Sequence, residues 1–349
     1  MVNDITIGSK TIGPGSPCFI IAEAGSNHDR DLGQAKQLID VAVEAGADAV
    51  KFQTFTADKI AANTVHEIMK LGNEYEGVQT LYELYKGLEL PREWQHELME
   101  YAVGKGIIFL TTPFDYDAVE QMEVLNVPAY KIASFELVDL PFLNYIAKKG
   151  KPVILSTGMA SLGEIEEALD AVYKSGNRQA VLLHCGISYP MPLQEVNLAV
   201  METLNIAFQV PVGYSDHTLG ITVPIAAAAW GARVIEKHFT IDKTLKGPDH
   251  KFALNPVELK AMVKGIREAE MCVGSPVKRL AESEKIHHMR GRRSIFAVTD
   301  IPRGTEITGE MLAILRPGVG LHPRYLDKVI GRKASVDIKA NDPITWDNI

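Results

Sequence analysis

The stretch FIIAEAGSNH, residues 19–28, begins as an apolar run and ends in charged and polar residues. The same change of character recurs along the chain. The eight runs that show it are FIIAEAG (19–25), ADAVKFQT (47–54), IIFLTTPF (107–114), AYKIAS (129–134), PVILSTGM (152–159), AVLLHCGI (180–187), VPVGYSDH (210–217) and ARVIEKHF (232–239). A short continuous apolar run is typical of a parallel strand that is covered on both faces. Eight such strands, alternating with helical segments, predict a closed (β/α)8 TIM barrel.

Each run finishes in residues that a buried strand would not place in its core. These residues are Glu23, Lys51 and Gln53, Thr112, Lys131 and Ser134, Ser156, His184, His217 and His238. In (β/α)8 barrels the chemistry lies at the carboxyl ends of the strands, which is where these side chains cluster. The sequence therefore predicts an enzyme whose site lies at that end of the barrel.

Amphipathic segments that connect the runs predict the helices of the barrel. They cover 34–45, 92–104, 116–123, 162–174, 221–230 and 256–271. The connection over 55–91 is unusually long, which predicts an excursion over the barrel mouth. Residues 4–17 alternate around glycine-rich turns and predict a small hairpin that plugs one end of the barrel.

The chain is longer than the roughly 250 residues of a bare barrel, so a second domain is expected. We predict a barrel over 1–275, a polar and charged linker over 276–291, and a small β-rich domain over 292–349. A domain of about 60 residues has a thin core, which favours docking against something larger.

Composition excludes several classes of protein. The chain has 44 acidic and 36 basic residues, a net charge of −8, which offers no general attraction to nucleic acid or to an anionic membrane. No apolar run approaches the roughly 18 residues of a membrane span, and the first ten residues lack the apolar core of a signal peptide. The three cysteines are odd in number and lie in apolar contexts. A reduced, cytoplasmic protein is the simplest interpretation.

Two histidines end consecutive predicted strands, His217 in GYSDHT and His238 in EKHF. Their imidazoles are expected to converge on one divalent ion at the barrel mouth, although imidazole alone does not select the metal. The alternative is a pair of unrelated, hydrogen-bonded histidines.

Two lysines, Lys51 and Lys131, end otherwise apolar strands, and an unpaired lysine is costly to bury. Short hydroxyl side chains are predicted on the same rim, at Thr112, Ser134, Ser156 and Ser215. Two ammonium groups ringed by hydroxyls indicate a site for a phosphate or a carboxylate. Alternatively, the hydroxyls cap the following helices and the lysines pair with acidic neighbours.

Three carboxylates are placed to reach the same mouth. Glu23 closes the first strand, Glu136 follows the fourth, and Asp249 lies just past the eighth in KGPDH. Carboxylates that face a metal or a sugar can move protons or orient hydroxyl groups. Ion pairs with neighbouring lysines are the alternative interpretation.

Taken together, several motifs resemble the sialic acid synthases, the N-acetylneuraminate synthase family. The motifs are FIIAEAGSNH, VKFQT, TTPFD, AYKIAS, ILSTGM, GYSDHTLG, VIEKHF, KGPDH and the late LRPGVGLHP. The resemblance covers almost the whole chain in order, including a C-terminal antifreeze-like (SAF) domain. It implies a condensation of phosphoenolpyruvate with an N-acylated hexose such as N-acetylmannosamine, which yields a nine-carbon 2-keto sugar acid and phosphate.

The resemblance also implies roles for individual residues. It implies a divalent metal, foremost Mn2+ with Mg2+ or Co2+ as alternatives, on His217 and His238. It implies that the phosphoenolpyruvate site is formed by Lys51, Thr112, Lys131, Ser134, Ser156 and Ser215. Glu23 and Gln53 would lie near the metal and the sugar, and Glu136, Tyr189 and Asp249 would contact the sugar. Arg316 would reach the partner subunit's barrel in a domain-swapped homodimer.

The chain departs from the family pattern in the sixth strand motif. It reads HCGISYP, so Ile187 stands where many relatives have Asn or Ser, and Ser188 follows one place later. A hydrogen bond to the phosphate is therefore expected to be missing or shifted. The sugar stays open, because pseudaminate-type, legionaminate-type and spore-coat-type members share much of the rest.

Two other classes of function are compatible with parts of the sequence. A metal-dependent aldolase or isomerase would use the histidines but would not need two lysines within a ring of hydroxyls. A non-catalytic sugar-binding or ice-binding protein is suggested only by the C-terminal domain. The complete set of polar residues at the barrel rim favours the synthase.

Overall fold

The computed structural model describes residues 4–64, 66–71 and 78–349. The chain divides into two compact units, Met1–Gly274 and Ser275–Ile349. Within the described residues, no helix is both long enough and apolar enough to cross a membrane.

The first unit is built on eight parallel strands, as the sequence predicts. They are β3 (Phe19–Gly25), β4 (Ala49–Thr54), β5 (Ile108–Pro113), β6 (Tyr130–Ile132), β7 (Val153–Ser156), β8 (Ala180–Cys185), β9 (Val212–Asp216) and β10 (Val234–His238). Hydrogen-bonded neighbours follow the order β5-β4-β3-β10-β9-β8-β7-β6, and β5 and β6 approach each other without a hydrogen-bonded ladder. The result is a nearly closed TIM-like barrel.

The predicted hairpin fills one end of this barrel. Strands β1 (Ile5–Ile7) and β2 (Lys10–Ile12) pair in antiparallel fashion. Their isoleucines pack against inward-facing residues near the amino ends of the barrel strands, including Phe19 and Val234. The interior of the barrel is therefore apolar at this end, and the polar ends of the strands lie at the other.

Helices cover the outside of the barrel and confirm the predicted connectors. They are α1 (Leu32–Ala45), α2 (Ala57–Ile60), α3 (Leu81–Leu88), α4 (Gln95–Gly104), α5 (Tyr116–Leu125), α6 (Leu140–Ala147), α7 (Leu162–Lys174), α8 (Val200–Phe208), α9 (Thr222–Ala229) and α10 (Pro256–Val273). Side-chain caps explain several of the starts: Asp31, Ser161 and Asn255 each accept from a backbone N–H in the first turn. The predicted excursion over 55–91 rests in part on residues 65 and 72–77, which lie outside the described residues.

A glycine permits the close approach of the two strands that carry the histidines. A Cβ built on Gly213 of β9 would lie 2.2 Å from the carbonyl oxygen of Val234 on β10. No side chain fits in that space, so the residue must be glycine for this packing. The amino-terminal ends of β9 and β10, the strands that lead to the two histidines, therefore pack tightly against each other.

The second unit begins with the segment that the sequence predicts as a linker. Residues 276–291 include a short helix, α11 (Lys285–Gly291). Strands β11 (Ser294–Ala297) and β12 (Leu312–Leu315) pair in antiparallel fashion, and α12 (Leu326–Val329) follows. A small core forms around Ile295, Ile307 and Ile344. This unit has the short strands and turns that the sequence predicts.

Candidate active site

The polar residues at the ends of the strands meet in one cavity at the carboxyl end of the barrel. Among the predicted site residues, the cavity is lined by Glu23, Lys51, Gln53, Thr112, Lys131, Ser134, Ser156, Tyr189, Ser215, His217 and His238. A larger depression of about 830 Å3 lies at the opposite end, beside the hairpin, and none of the predicted residues lines it. The cavity at the carboxyl end is therefore the candidate active site.

Strand alternation explains why these side chains point into the barrel. Ile21, Ala49, Ala129 and Val234 belong to the apolar plug at the amino end. Side chains two positions further along a strand lie on the same face. That rule brings Glu23, Lys51, Lys131 and Glu236 into the next layer of the interior, directly above the plug. The barrel interior is thus apolar at one end and charged at the other.

The two lysines are buried and approach both hydroxyls and carboxylates. The ammonium of Lys51 lies 2.7 Å from Glu23 Oε2 and donates to Thr112 Oγ1 over 3.1 Å. The ammonium of Lys131 donates to Ser156 Oγ over 2.8 Å. The lysines therefore pair with acidic neighbours, as the alternative interpretation predicts, and they also lie among hydroxyls, whereas the anion site itself stays a prediction.

Burial acts differently on the two ammonium groups. Around Lys51, burial opposes the charge, but Glu23 and Glu236 outweigh it and raise the pKa of the ammonium. Around Lys131, burial dominates over the attraction of Glu236 and lowers the pKa. The two lysines are therefore not equivalent electrostatically, although they face the same cavity.

Glu236 is the charged residue of this cavity that the sequence reasoning missed. Its carboxylate is 4% exposed, and its oxygens lie 3.5 Å from the ammonium of Lys131 and 3.8 Å from that of Lys51. Ser215 Oγ donates to Glu236 Oε1 over 3.1 Å. The signal was present, since Glu236 stands two positions before His238 in EKHF and so shares its strand face.

The two histidines lie next to each other, with ring centroids 5.5 Å apart. His217 Nδ1 is 2.6 Å from the carbonyl oxygen of Gly186, so that nitrogen carries the proton and Nε2 holds a free lone pair. Within the described part of the chain, Nδ1 of His238 is buried without a hydrogen-bond partner. Burial lowers the pKa of both imidazoles, and the charges of Lys51 and Lys131 add to the effect at His238. Two neutral, adjacent imidazoles have the chemistry of metal ligands.

Glu136 and Asp249 do not line this cavity but lie close to its components. Asp249 Oδ2 is 3.6 Å from His238 Nδ1. Glu136 follows β6 in the short 3-10 turn Ser134–Glu136, and its Oε2 is buried with no hydrogen-bond partner among the described residues. Burial raises the pKa of each carboxyl to about 7, with a contribution from Glu23 at Asp249. Both groups can therefore exchange protons near neutral pH.

A buried histidine holds the segment that carries Asp249. His250 is fully buried, and its Nε2 donates to the carboxylate of Asp29 over 3.1 Å. Its Nδ1 lies 2.6 Å from Thr240 Oγ1. These contacts join the loop after β10 to the loop after β3, which fixes Asp249 beside His238.

The departure in the sixth strand motif has a structural consequence. Ile187 lines the cavity with an apolar side chain, and Ser188 Oγ donates to the carbonyl oxygen of Pro190 instead. Cys185, which also lines the cavity, has its sulfur 3.1 Å from Ser134 Oγ. Ser188 is not among the residues that line the cavity, so its hydroxyl does not supply the hydrogen bond that the resemblance implies near position 187. His184 points away from the cavity and bonds the Val196 carbonyl oxygen.

Arg316 belongs to the second unit. Its Nε donates to the carbonyl oxygen of Gly291 over 2.8 Å, and the residue is exposed. It precedes a cis peptide bond to Pro317. Its guanidinium therefore remains available to a partner on the surface of this unit.

Comparison with known proteins finds a matching family model for each of the two units. The sequence model of the NeuB family matches residues 38–278, and that of the SAF domain matches residues 292–349. The chain is 44% identical to the N,N'-diacetyllegionaminic acid synthase of Legionella pneumophila, over 98% of this chain and 97% of that protein. It is 37% identical to the pseudaminic acid synthase of Helicobacter pylori, over 95% of this chain and 98% of that protein.

A solved structure shows the same architecture. The crystal structure of the N-acetylneuraminic acid synthetase from Leptospira borgpetersenii superimposes with a TM-score of 0.74 at 36% identity, covering 82% of this chain and 95% of that chain. The resemblance that the sequence motifs indicate is therefore confirmed. From its barrel, its matching sequence model and its relatives, the chain belongs to the NeuB family and carries a C-terminal SAF domain.

Proposed function

We propose that this protein condenses phosphoenolpyruvate with an N-acylated hexose to give a nine-carbon 2-keto sugar acid and phosphate. The observation that supports it most is one cavity that combines two buried ammonium groups with two neutral imidazoles. The ammonium groups suit an anionic donor, and the imidazoles suit a metal that activates a carbonyl acceptor. Relatives named as legionaminic and pseudaminic acid synthases support the same class of reaction.

The donor would lie across the two lysines. Lys51 and Lys131 come from β4 and β6, and the hydroxyls of Thr112 and Ser156 accept hydrogen bonds from them. Charge-assisted hydrogen bonds of this kind fix an anion in position and direction. With both anionic ends of phosphoenolpyruvate held, its methylene carbon is oriented toward the acceptor, which is chiefly an entropic contribution to catalysis.

A divalent ion, foremost Mn2+ with Mg2+ or Co2+ as alternatives, would be held by His217 and His238. The free Nε2 of His217 and the buried Nδ1 of His238, which has no hydrogen-bond partner among the described residues, fit such an ion. In the part of the chain that the structure describes, no group of three or more His, Cys, Asp and Glu side chains forms a complete metal site. Water or substrate oxygens would therefore complete the coordination, and the bound ion would supply a Lewis acid for the acceptor's aldehyde oxygen.

The bonds that change follow from this arrangement. The methylene carbon of phosphoenolpyruvate forms a bond to the aldehyde carbon, and water adds at C2 of the enol. The resulting tetrahedral centre loses phosphate by cleavage of the C–O bond and becomes the ketone of the product. Glu136 and Asp249, whose pKa values are about 7, can accept or return the protons released in these steps. Lys51 and Lys131 keep the phosphate end in place until that bond breaks.

The identity of the acceptor sugar is a more specific part of the proposal. N-acetylmannosamine is the simplest N-acylated hexose for the reaction. The 44% identity to a synthase of N,N'-diacetyllegionaminic acid favours, as a second candidate, an acceptor with two acetamido groups. Ile187 adds apolar surface to the cavity, which would contact part of the bound substrates.

We also propose that the protein acts as a domain-swapped homodimer in which Arg316 reaches the partner subunit's barrel. Large apolar side chains are exposed on the loops at the carboxyl end of the barrel strands, where a partner would cover them. They include Phe135 (53% exposed), Met159 (66%), Leu193 (62%) and Leu219 (60%). Large apolar side chains that stay exposed at one end of a barrel are candidates for burial in a protein interface.

The deciding experiment incubates the full-length chain with phosphoenolpyruvate, Mn2+ and a panel of acceptors that carry one or two acetamido groups. Phosphate release and product mass are measured before and after chelation. We expect phosphate release only with an acceptor and a metal, together with a product that contains all three donor carbons. An aldolase or isomerase would act without releasing phosphate from phosphoenolpyruvate, and a sugar-binding protein would give no product. Activity that survives exhaustive chelation would refute the role of the metal.

A further inference from the structure

The two buried lysines of the candidate site are bridged by a carboxylate. Glu236 lies between the ammonium groups of Lys51 and Lys131, at 3.8 Å and 3.5 Å. One of its oxygens accepts from Ser215, and the other, Oε2, is buried and accepts no hydrogen bond from any described residue. A carboxylate oxygen left unpartnered in this position is costly unless the neighbouring charges compensate it.

The surroundings keep this carboxylate ionised. Its two oxygens lie 3.5 Å and 3.8 Å from two ammonium groups, and opposite charges at such distances favour the charged form of a carboxyl group. Glu23 pairs with Lys51 at 2.7 Å, so the two lysines are matched by two buried glutamates. Each ammonium group is therefore opposed by a buried carboxyl group, even though burial raises the pKa of Glu23.

This balance matters for the kind of anion that the site accepts. A free dianion that contacts both ammonium groups must also approach the carboxylate that lies between them. Like charges at such distances repel strongly in a buried environment. An anion with a second charged group can compensate the repulsion with contacts elsewhere, whereas inorganic phosphate has no such group.

We propose that Glu236 is the resident counter-ion of the anion site, which selects against inorganic phosphate and so speeds the release of that product. The inference rests on the proposed function for its biological meaning, because phosphate is a product of that reaction. A purely structural role is the competing explanation, in which Glu236 only neutralises two buried lysines. The two explanations differ in what they predict for phosphate affinity.

The test compares the full-length wild type with Glu236→Gln, Glu236→Asp and the control Glu167→Gln. Glu167 is exposed on α7, so its substitution also removes one negative charge but far from the cavity. Binding of inorganic phosphate is measured by titration calorimetry at pH 7 in the presence of a chelator. We expect Glu236→Gln to bind phosphate roughly tenfold or more tightly than the wild type, because a buried charge repulsion is removed. The control should bind phosphate as the wild type does.

The aspartate variant keeps the charge but withdraws it from the lysines by one methylene group. We expect Glu236→Asp to have a phosphate affinity between those of the wild type and Glu236→Gln. If the glutamine variant binds phosphate no more tightly while circular dichroism shows it folded, the inference is wrong. Should the glutamine variant fail to fold, the aspartate variant decides, since unchanged or weaker phosphate binding there refutes the inference.

Phosphate binding needs neither acceptor nor metal nor turnover, so this test is independent of the condensation assay. Tighter phosphate binding by Glu236→Gln in a protein that makes no sugar acid would reject the proposed function and retain the counter-ion role. If the wild type is an active synthase but Glu236→Gln does not bind phosphate more tightly, the proposed function is retained and the counter-ion role is rejected. In an active synthase, the glutamine variant should also show stronger product inhibition by phosphate.

Discussion

Replacing Lys237 with methionine should destabilise the barrel unit, because Asp216 would remain buried without its cation. Lys237 Nζ lies 2.6 Å from Asp216 Oδ2, and both side chains are 0% exposed. The two residues are paired in register between β9 and β10. Thr218 also contributes, since its backbone N–H and its hydroxyl donate to Asp216.

The expected magnitude follows from the burial of this pair. Removing one partner of a buried ion pair costs about 3–5 kcal/mol, because the remaining charge has lost both its solvent and its counter-ion. A domain of roughly 150–250 residues loses about 2–4 °C in melting temperature per kcal/mol. We therefore expect Lys237→Met to melt roughly 10 °C below the wild type in a thermal unfolding experiment at pH 7.

The control is Lys264→Met on α10, where the lysine is 76% exposed and lies 3.6 Å from Glu268. A solvent-exposed pair contributes little, so this variant should melt close to the wild type. The double variant Asp216→Asn/Lys237→Met should recover part of the loss, because it leaves no unpaired charge. If Lys237→Met melts within about 2 °C of the wild type, less than 1 kcal/mol by the same conversion, the reasoning is refuted.

Three further outcomes are expected. Lys51→Ala and Lys131→Ala should each raise the KM for phosphoenolpyruvate roughly ten- to a hundredfold, since a charge-assisted contact contributes about 1.5–3 kcal/mol; a change confined to the KM of the sugar would reassign both lysines. A mixture of Arg316→Ala and His217→Ala chains should recover activity through heterodimers with one intact site, and no recovery after verified subunit exchange would exclude a role for Arg316 across the interface. Glu136→Gln should flatten the dependence of melting temperature on pH. Burial raises the pKa of Glu136 from its usual 4.5 to about 7, so the folded protein holds a proton that the unfolded chain releases. The stability tied to that proton, about 3 kcal/mol, is present below pH 4.5 and is lost as the pH rises to 7. Parallel curves for wild type and variant would contradict this assignment.

Local patterns in the sequence were sufficient to predict the barrel. A strand that is covered on both faces must be apolar throughout, so the eight runs stand out against the amphipathic helices. Polar residues follow each apolar run at the carboxyl end of the strand, and this is the end at which the barrel is open. For these reasons the strand positions, the hairpin plug and most of the polar residues of the cavity, with Glu236 as an exception, could be predicted from the amino-acid sequence alone.

Distances between those side chains depend on register and on the stagger of the barrel, which no local pattern encodes. Alternation assigns Glu236 and Lys237 to opposite faces of β10, but it does not say which partners they meet. Only the folded barrel brings Glu236 between Lys51 and Lys131, whose positions in the chain are 185 and 105 residues away. The same packing buries Lys237 against Asp216 on the outer face.

Tertiary contacts likewise decided which nitrogen of His217 is free. Nδ1 of His217 donates to the carbonyl oxygen of Gly186, which leaves Nε2 free. Burial also raises the pKa values of Asp249 and Glu136 to about 7. The sequence by itself determined which residues face the open end of the barrel, because side-chain direction alternates with a period of two. The tertiary structure decided their charges and pairings, because burial and through-space proximity are properties of the whole fold.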